Sequence, residues 1–423
     1  MTHPRDMATR AFAARFGDRA SARQWFVPGR IEVFGKHVDY AGGRSLLATI
    51  DQGFHVVARP RADQRVHVYD ARSHQTCTGT LHPDLAQAPG TWGDYVITVL
   101  RRIARDFPGA NIGMDAVIAS SIPSAAGVSS SSALVIATFL PLAAFNRLEE
   151  RPEWVAHLRA PAQLAGYLGA LENGKAFGPF AADFGVGTAG GSQDHLAIMC
   201  CHQQHLTQAR FLPAAVELEV EFPPDWTFVM ASSGIAAPKG GAVRSRYNAL
   251  ATQTAAILAT WNEAHGTHEI SLLDVLRGSP SAATELHRML DSGPDAESLR
   301  RRLEQFRCET TELIPAAVDA IRRHDAPALG AAIERSHHLA VTVLANQVEE
   351  TQYLAEHACS LGAIGASAFG AGFGGSVYAI VPLDAAAEFS TAWAANYREQ
   401  FPHAAARAEF SQSRPAGGAQ EVA

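Results

Sequence analysis

"VPGRIEVFGKHVDYAGG", residues 27–43, holds four glycines, one proline, an arginine, a lysine, a histidine and an aspartate in one short stretch. It is too rich in glycine and charge for a plain strand, and too apolar around Ile31 to Phe34 for a solvated loop. Arg30, Lys36, His37 and Asp39 are instead presented from one tight turn, a mixed set of donors and acceptors suited to a ligand with polar groups on several faces.

The rest of the chain limits what that ligand belongs to. At 423 residues there is length for about two domains and a large core. Apolar content of 47% with 18% charged residues is that of an ordinary globular protein. The net charge of -7 gives no footprint for nucleic acid or an anionic membrane, and no run approaches the roughly 20 apolar residues of a membrane span. The N-terminal "MTHPRDMATRAFAARFGDRAS" is rich in Arg and Ala like a transit peptide, yet Asp6, Asp18 and the lack of an apolar signal core favour an amphipathic first helix. Cys77, Cys200, Cys201, Cys308 and Cys359 have no C-x-x-C spacing and read as reduced, buried thiols of a cytoplasmic protein.

Strand-like and helix-like runs alternate in the first half. "GFHVVARP", "RVHVYDAR" and "GMDAVIASSIP" are strand candidates, and "SSSALVIATFLPLAAF" reads as a buried helix with a capped start. From about Trp226 the texture changes. "TFVMASSG" is a strand, helical patterns cover Val243–Ala264, Ala296–Arg323 and Ala326–Asn346, and "SVYAIVPL" is a strand before a last helix. The fold class is α+β or α/β, with a boundary near residues 215–225. The tail "SRPAGGAQEVA" is expected to fray.

Two glycine-rich stretches add chemistry. "PSAAGVSSSSA" runs from Pro123 through Gly127 into four serines that open an apolar helix. Small residues admit a ligand close to the backbone, and the free N–H groups of a helix start favour an anion such as phosphate. A serine-capped helix start with no ligand explains the same residues. "GAGFGG" satisfies G-x-G-x-x-G at Gly370, Gly372 and Gly375, but a strand follows it where a dinucleotide fingerprint needs a helix. It reads as an exposed-backbone loop or a glycine hairpin. Asp194 follows two glycines in "GGSQDH", at the lip of an apolar run, where it is either a desolvated proton acceptor or a helix-cap aspartate. His202/His205 and His337/His338 lack a third metal ligand and read as solvated or core histidines.

Taken together and in order, these stretches resemble the GHMP sugar kinases, and among them the galactokinases most. "PGRIEVFGKHVDYAGG", "PSAAGVSSSSA" and "GAGFGG" match the family's three motifs, and "GSQD" a fourth landmark. The resemblance implies an α+β, two-lobed GHMP kinase fold, residues 1–220 and 221–423, with the active site in the cleft between lobes. It implies ATP as phosphoryl donor with Mg²⁺, and phosphorylation of the anomeric hydroxyl of galactose or a similar sugar. Asp194 falls on the catalytic aspartate and Arg30 on its partner arginine. His37, Asp39, Gly191 and Tyr247 fall on sugar-contacting positions. Pro123, Gly127, Val128, Ser129, Ser130 and Ser131 fall on the nucleotide loop, with Gly372, Gly374 and Gly375 supporting it. Ser131 and Glu172 match the metal-contacting pair.

There are departures. The segment between Glu172 and Asp194, with "GKAFGPFAADFGVG", is longer than in a typical galactokinase, and an Arg usual near Ser367 is missing. Lys36 stands where galactokinases have a Glu that faces the sugar's C6 end. An ionised Glu only accepts and a Lys only donates. Lys36 therefore either meets a C6 carboxylate, making galacturonate the substrate, or pairs with Glu32 or Asp39 and leaves hexose specificity intact. A sugar and ATP sensor without turnover is the alternative outside enzymes, but such relatives tend to lose the serine loop or the aspartate, and both are present here. The partners expected are the small-molecule sugar and ATP, with no nucleic acid and no membrane.

Overall fold

The structure, a computed structural model, describes residues 3–18, 20–86, 90–122, 127–235, 241–291 and 293–422. In chain order the strands are β1 (Arg23–Phe34), β2 (Arg44–Pro60), β3 (Arg65–Asp70), β4 (Thr76–Thr80), β5 (Met114–Ser120), β6 (His205–Arg210), β7 (Ala215–Glu221), β8 (Trp226–Ser232), β9 (Gly365–Phe369), β10 (Ser376–Pro382), β11 (Glu409–Ser413) and β12 (Gln420–Val422). One sheet runs β12-β1-β2-β5-β3-β4, with β6 paired to β2 and β7 to β6; the other runs β11-β8-β10-β9. The pairing is antiparallel except for β3 with β5.

β1 carries the quoted motif because its apolar residues have core on both faces. Val27, Ile31, Val33 and Phe34 are fully buried, each such side chain contributing roughly 1.5–3 kcal/mol. The apolar helix Ser130–Phe145 packs under β1 and β2 and joins the same core. Its start differs from expectation. Ser129 precedes it in the left-handed region and makes no side-chain cap. The chain passes to the second sheet between β7 and β8, near the expected change of texture.

Two other expectations fail for identifiable reasons. The helix expected over Ala296–Arg323 is split into Ala296–Arg307, a π-helical turn Cys308–Leu313 and Ile314–Arg322. Pro315 cannot donate an intrahelical bond, so the α-ladder cannot run through it. A second π turn, Ala340–Leu344, ends the helix Ala326–Leu339. The tail does not fray. The Ala416 and Ala419 N–H groups donate to the carbonyls of Thr49 and Ile198 at 3.0 and 2.7 Å, and Gln420–Val422 pairs with β1. Among the described residues, no helix is long and apolar enough to cross a membrane.

Candidate active site

A cleft of about 430 Å³ is lined by the turn after β1, the serine loop, the Asp194 turn and the glycine-rich loop before β10. Arg30 lies in its wall, with a side chain only 4% exposed. Its Nε donates to Asp194 Oδ1 at 2.7 Å and its Nη1 to the Gly127 carbonyl at 2.9 Å. Its backbone N–H donates to the Val128 carbonyl at 3.3 Å. Arg30 thus ties a carboxylate to the serine loop.

Asp194 is the second residue of the helix Gln193–Cys200. Burial pushes its pKa up, but the Arg30 charge and the hydrogen bonds to the carboxylate together outweigh this and hold it below the usual carboxylate value. Asp39 behaves oppositely. Burial, then the like charge of Asp194, raises it, although its Oδ2 accepts from the Gln193 N–H at 3.2 Å. Two neighbouring carboxylates pushed apart in this way are suited to different tasks: Asp194 stays ionised, and Asp39 is the weaker acid. Gly191 is required for their approach, because a Cβ there would overlap the Asp39 carboxylate.

His37 has φ 57° and is buried against Arg302 and Asn346. Burial, then the positive charge of Arg302, lowers its pKa to about 3, so the ring is neutral. Its Nε2 lies 3.1 Å from both the Ala371 carbonyl, an acceptor, and Asn346 Nδ2, a donor, so these contacts are compatible with either tautomer. Nδ1 has no partner among the described residues. The Tyr247 ring packs 5.2 Å from the His37 ring and also lines the cleft.

Gly127, Ser129, Ser130 and Ser131 line the cleft, with left-handed φ of 70° at Gly127 and 61° at Ser129. Val128 is buried behind them. Pro123 lies outside the described residues. Glu172 accepts from Ser132 Oγ at 2.8 Å, and His195 Nε2 is 2.9 Å from the same carboxylate. The serine bonded to Glu172 is therefore Ser132 rather than Ser131. The additional segment after Glu172 is anchored to the core. Asp183 pairs with Arg101 and Arg105 at 3.0 and 2.7 Å, and Lys175 Nζ donates to the Gly190 carbonyl at 2.8 Å. The glycine-rich loop has positive φ at Gly370, Gly372, Phe373, Gly374 and Gly375. A Cβ at Gly370 would lie 2.8 Å from the Gly127 carbonyl oxygen, so the two loops need glycine where they meet.

Lys36 corrects the reading of it as a sugar-facing cation. It is 2% exposed, is not part of the cleft lining, and donates from Nζ to Ser336 Oγ at 2.9 Å. Ser336 in turn donates to Glu309, whose other oxygen accepts from the Gly35 N–H at 3.1 Å. The wide π turn delivers Glu309 to this position, and no sequence period marks it. Glu32 and Gln193 line the cleft and went unread in the sequence. Glu32 was findable: strand residues two apart share a face, so it stands beside Arg30. Among the described residues, no group of three or more His, Cys, Asp or Glu could hold a metal by itself.

Comparison with known proteins bears on the family and the fold. The galactokinase galactose-binding signature matches residues 10–60, and the GHMP kinase N-terminal and C-terminal domain models match residues 94–176 and 317–399. Galactokinases of Mannheimia succiniciproducens and Glaesserella parasuis are 26% and 24% identical, each match covering 94% of both chains. A Lactococcus lactis galactokinase solved with galactose superimposes with TM-score 0.79 at 23% identity, over 98% of both chains. A mevalonate kinase of L. major reaches TM-score 0.56 at 13% identity, over 93% of this chain and 97% of its own.

Proposed function

Because the chain belongs to the GHMP kinases and carries their galactokinase signature, we propose that it transfers the γ-phosphoryl group of ATP to the anomeric hydroxyl of galactose. The observation that carries this reading is the Arg30 bridge between Asp194 and the Gly127 carbonyl. It sets a proton-accepting carboxylate beside a loop and helix start that suit phosphates. Residues 1–220 and 221–423 are taken as the two lobes, and the five free thiols, of which Cys359 is exposed and Cys77 half-buried rather than buried as expected, suit a cytoplasmic location.

In the reaction, the sugar's anomeric oxygen bonds to the γ-phosphorus as the bond to the β–γ bridging oxygen breaks, and the hydroxyl proton passes toward Asp194. Asp194 orients that hydroxyl, and Arg30 keeps Asp194 ionised and offsets charge on the moving group. Gly127, Ser129 and Ser130 cradle the phosphates with hydroxyl and backbone donors, and the glycine-rich loop backs them. His37, Asp39 and Tyr247 hold the sugar. The Ser131 hydroxyl and Glu172 carboxylate are hard oxygen donors, the class a Mg²⁺ ion takes while keeping waters and phosphate oxygens. They would hold it, and Mg²⁺ supplies charge neutralisation on the phosphates.

The uronate alternative rested on Lys36, which is bonded away from the cleft. The test is ADP release with galactose, galacturonate, glucuronate, arabinose and N-acetylgalactosamine. Galactose should give the highest kcat/KM; no sugar-dependent ADP release would reduce the protein to a sensor.

A further inference from the structure

We propose that Glu32 is a specificity-determining residue of the sugar site, whose free carboxylate oxygen takes a hydroxyl donor of a neutral sugar and turns away a sugar carrying a carboxylate there. This rests on the sugar-kinase reading above and names its substrate class.

Glu32 lies on β1 two residues beyond Arg30, lines the cleft and is 2% exposed. Its Oε2 accepts from Gln193 Nε2 at 2.5 Å. Gln193 Oε1 accepts from Ser45 Oγ at 2.6 Å. Oε1 of Glu32 is buried and has no partner among the described residues. Lys36, the charge that acts most strongly on Glu32, donates to Ser336, which donates on to Glu309.

A buried acceptor is seldom left open, since burying a polar atom without a partner is costly. Here a second buried polar atom without a partner among the described residues, His37 Nδ1, belongs to the same cleft. Gln193 connects Glu32 to Asp39 through its own N–H and lies next to Asp194. The open oxygen therefore stands on the acceptor-sugar side of the cleft. A carboxylate oxygen without a protein donor, beside a second polar atom without a partner, calls for a ligand with hydroxyl groups, which both donate and accept, whereas a carboxylate placed there would bring further lone pairs and a like charge. Burial raises the Glu32 pKa to about 7 against the lowering effects of Lys36, Arg30 and the Gln193 bond, with Glu309 adding a like charge. At pH 8 it is mostly ionised, the state that most strongly rejects an anion.

The test is calorimetric binding of galactose and galacturonate at pH 8 to the wild type, Glu32→Gln and Glu32→Asp, with sugar-phosphate formation followed in parallel. Wild type should bind galactose at least about tenfold more tightly than galacturonate, and Glu32→Gln should close that gap to about threefold or less. Glu32→Asp keeps the charge but shortens its reach. It should still reject galacturonate while binding galactose more weakly, and it carries the test if Glu32→Gln does not fold. Equal loss of affinity for both sugars in Glu32→Gln, or a wild type that prefers galacturonate, overturns the role of Glu32. If galactose binds in a Glu32-dependent way without being phosphorylated, the kinase reading falls and Glu32 stands. If galactose is phosphorylated and Glu32→Gln leaves the discrimination unchanged, the kinase reading stands and Glu32 falls. Absence of binding by either sugar overturns both.

Discussion

The guanidinium of Arg30 donates to Asp194 Oδ1 at 2.7 Å and, from its other edge, to the Gly127 carbonyl at 2.9 Å. One planar cation therefore sets the distance between the carboxylate and the serine loop. Lysine offers a point charge and cannot span both acceptors. Arg30→Lys should fold and bind sugar, but lose on the order of 10²–10³-fold in kcat, as when a transition-state donor is removed. Steady-state kinetics beside sugar calorimetry would check this; a kcat within threefold of wild type would detach Arg30 from the chemistry.

Ser131 and Ser132 should separate cleanly. Ser132→Ala removes the hydrogen bond to Glu172 and should cost about 1 kcal/mol of stability, read by urea unfolding. Ser131→Ala should instead raise the Mg²⁺ concentration needed for half-maximal rate and spare sugar affinity. The reverse pattern would move the metal-holding role to Ser132.

Lys36 makes a stability prediction rather than a specificity one. Its ammonium is the buried counter-charge in the chain Lys36–Ser336–Glu309–Gly35. Removing one member of a buried charged pair costs roughly 3–5 kcal/mol. Lys36→Met should therefore lower the unfolding free energy strongly, while any folded fraction keeps the wild-type preference between galactose and galacturonate. A stable variant with inverted preference would restore Lys36 to the sugar site.

These cases show what the sequence discloses. The turn after β1 is legible because glycine and a cluster of polar side chains coincide within one segment. β1 itself is not: Arg23–Phe34 forms a strand that carries Arg30, although the stretch reads as too rich in glycine and charge for one. Asp194 and Arg30, far apart in the chain, are brought together, and only the ordered motifs suggested that they would be. Lys36 was misread because its partner Ser336 lies on a distant helix, and Glu309 reaches the network through a π turn. The tail "SRPAGGAQEVA" has the composition of a fraying end, yet the open edge of β1 offers it backbone partners that composition cannot reveal.

Glu32 also gives a pH signature. Its ordinary value of 4.5 rises to about 7 on folding, chiefly through burial. Below the unfolded value both states hold the proton. Between the two values the unfolded chain ionises while the folded one resists, so stability falls as pH rises through this window. The full effect is about 3 kcal/mol. Glu32→Gln removes the titration, so its stability relative to wild type should improve between pH 5 and pH 8 in urea unfolding. A difference that does not vary with pH would mean that Glu32 titrates normally.

The most direct measurement is phosphorus NMR of the product formed from ATP, Mg²⁺ and galactose, by wild type and by Asp194→Asn. Wild type should give a sugar phosphomonoester coupled to the anomeric proton, with one ADP released per phosphorylated sugar. Asp194→Asn should give the same product on the order of 10²–10⁴-fold more slowly, with sugar binding intact. Phosphate on another hydroxyl, ADP released without sugar phosphate, or an undiminished rate in Asp194→Asn would contradict an anomeric kinase built on the Arg30–Asp194 pair.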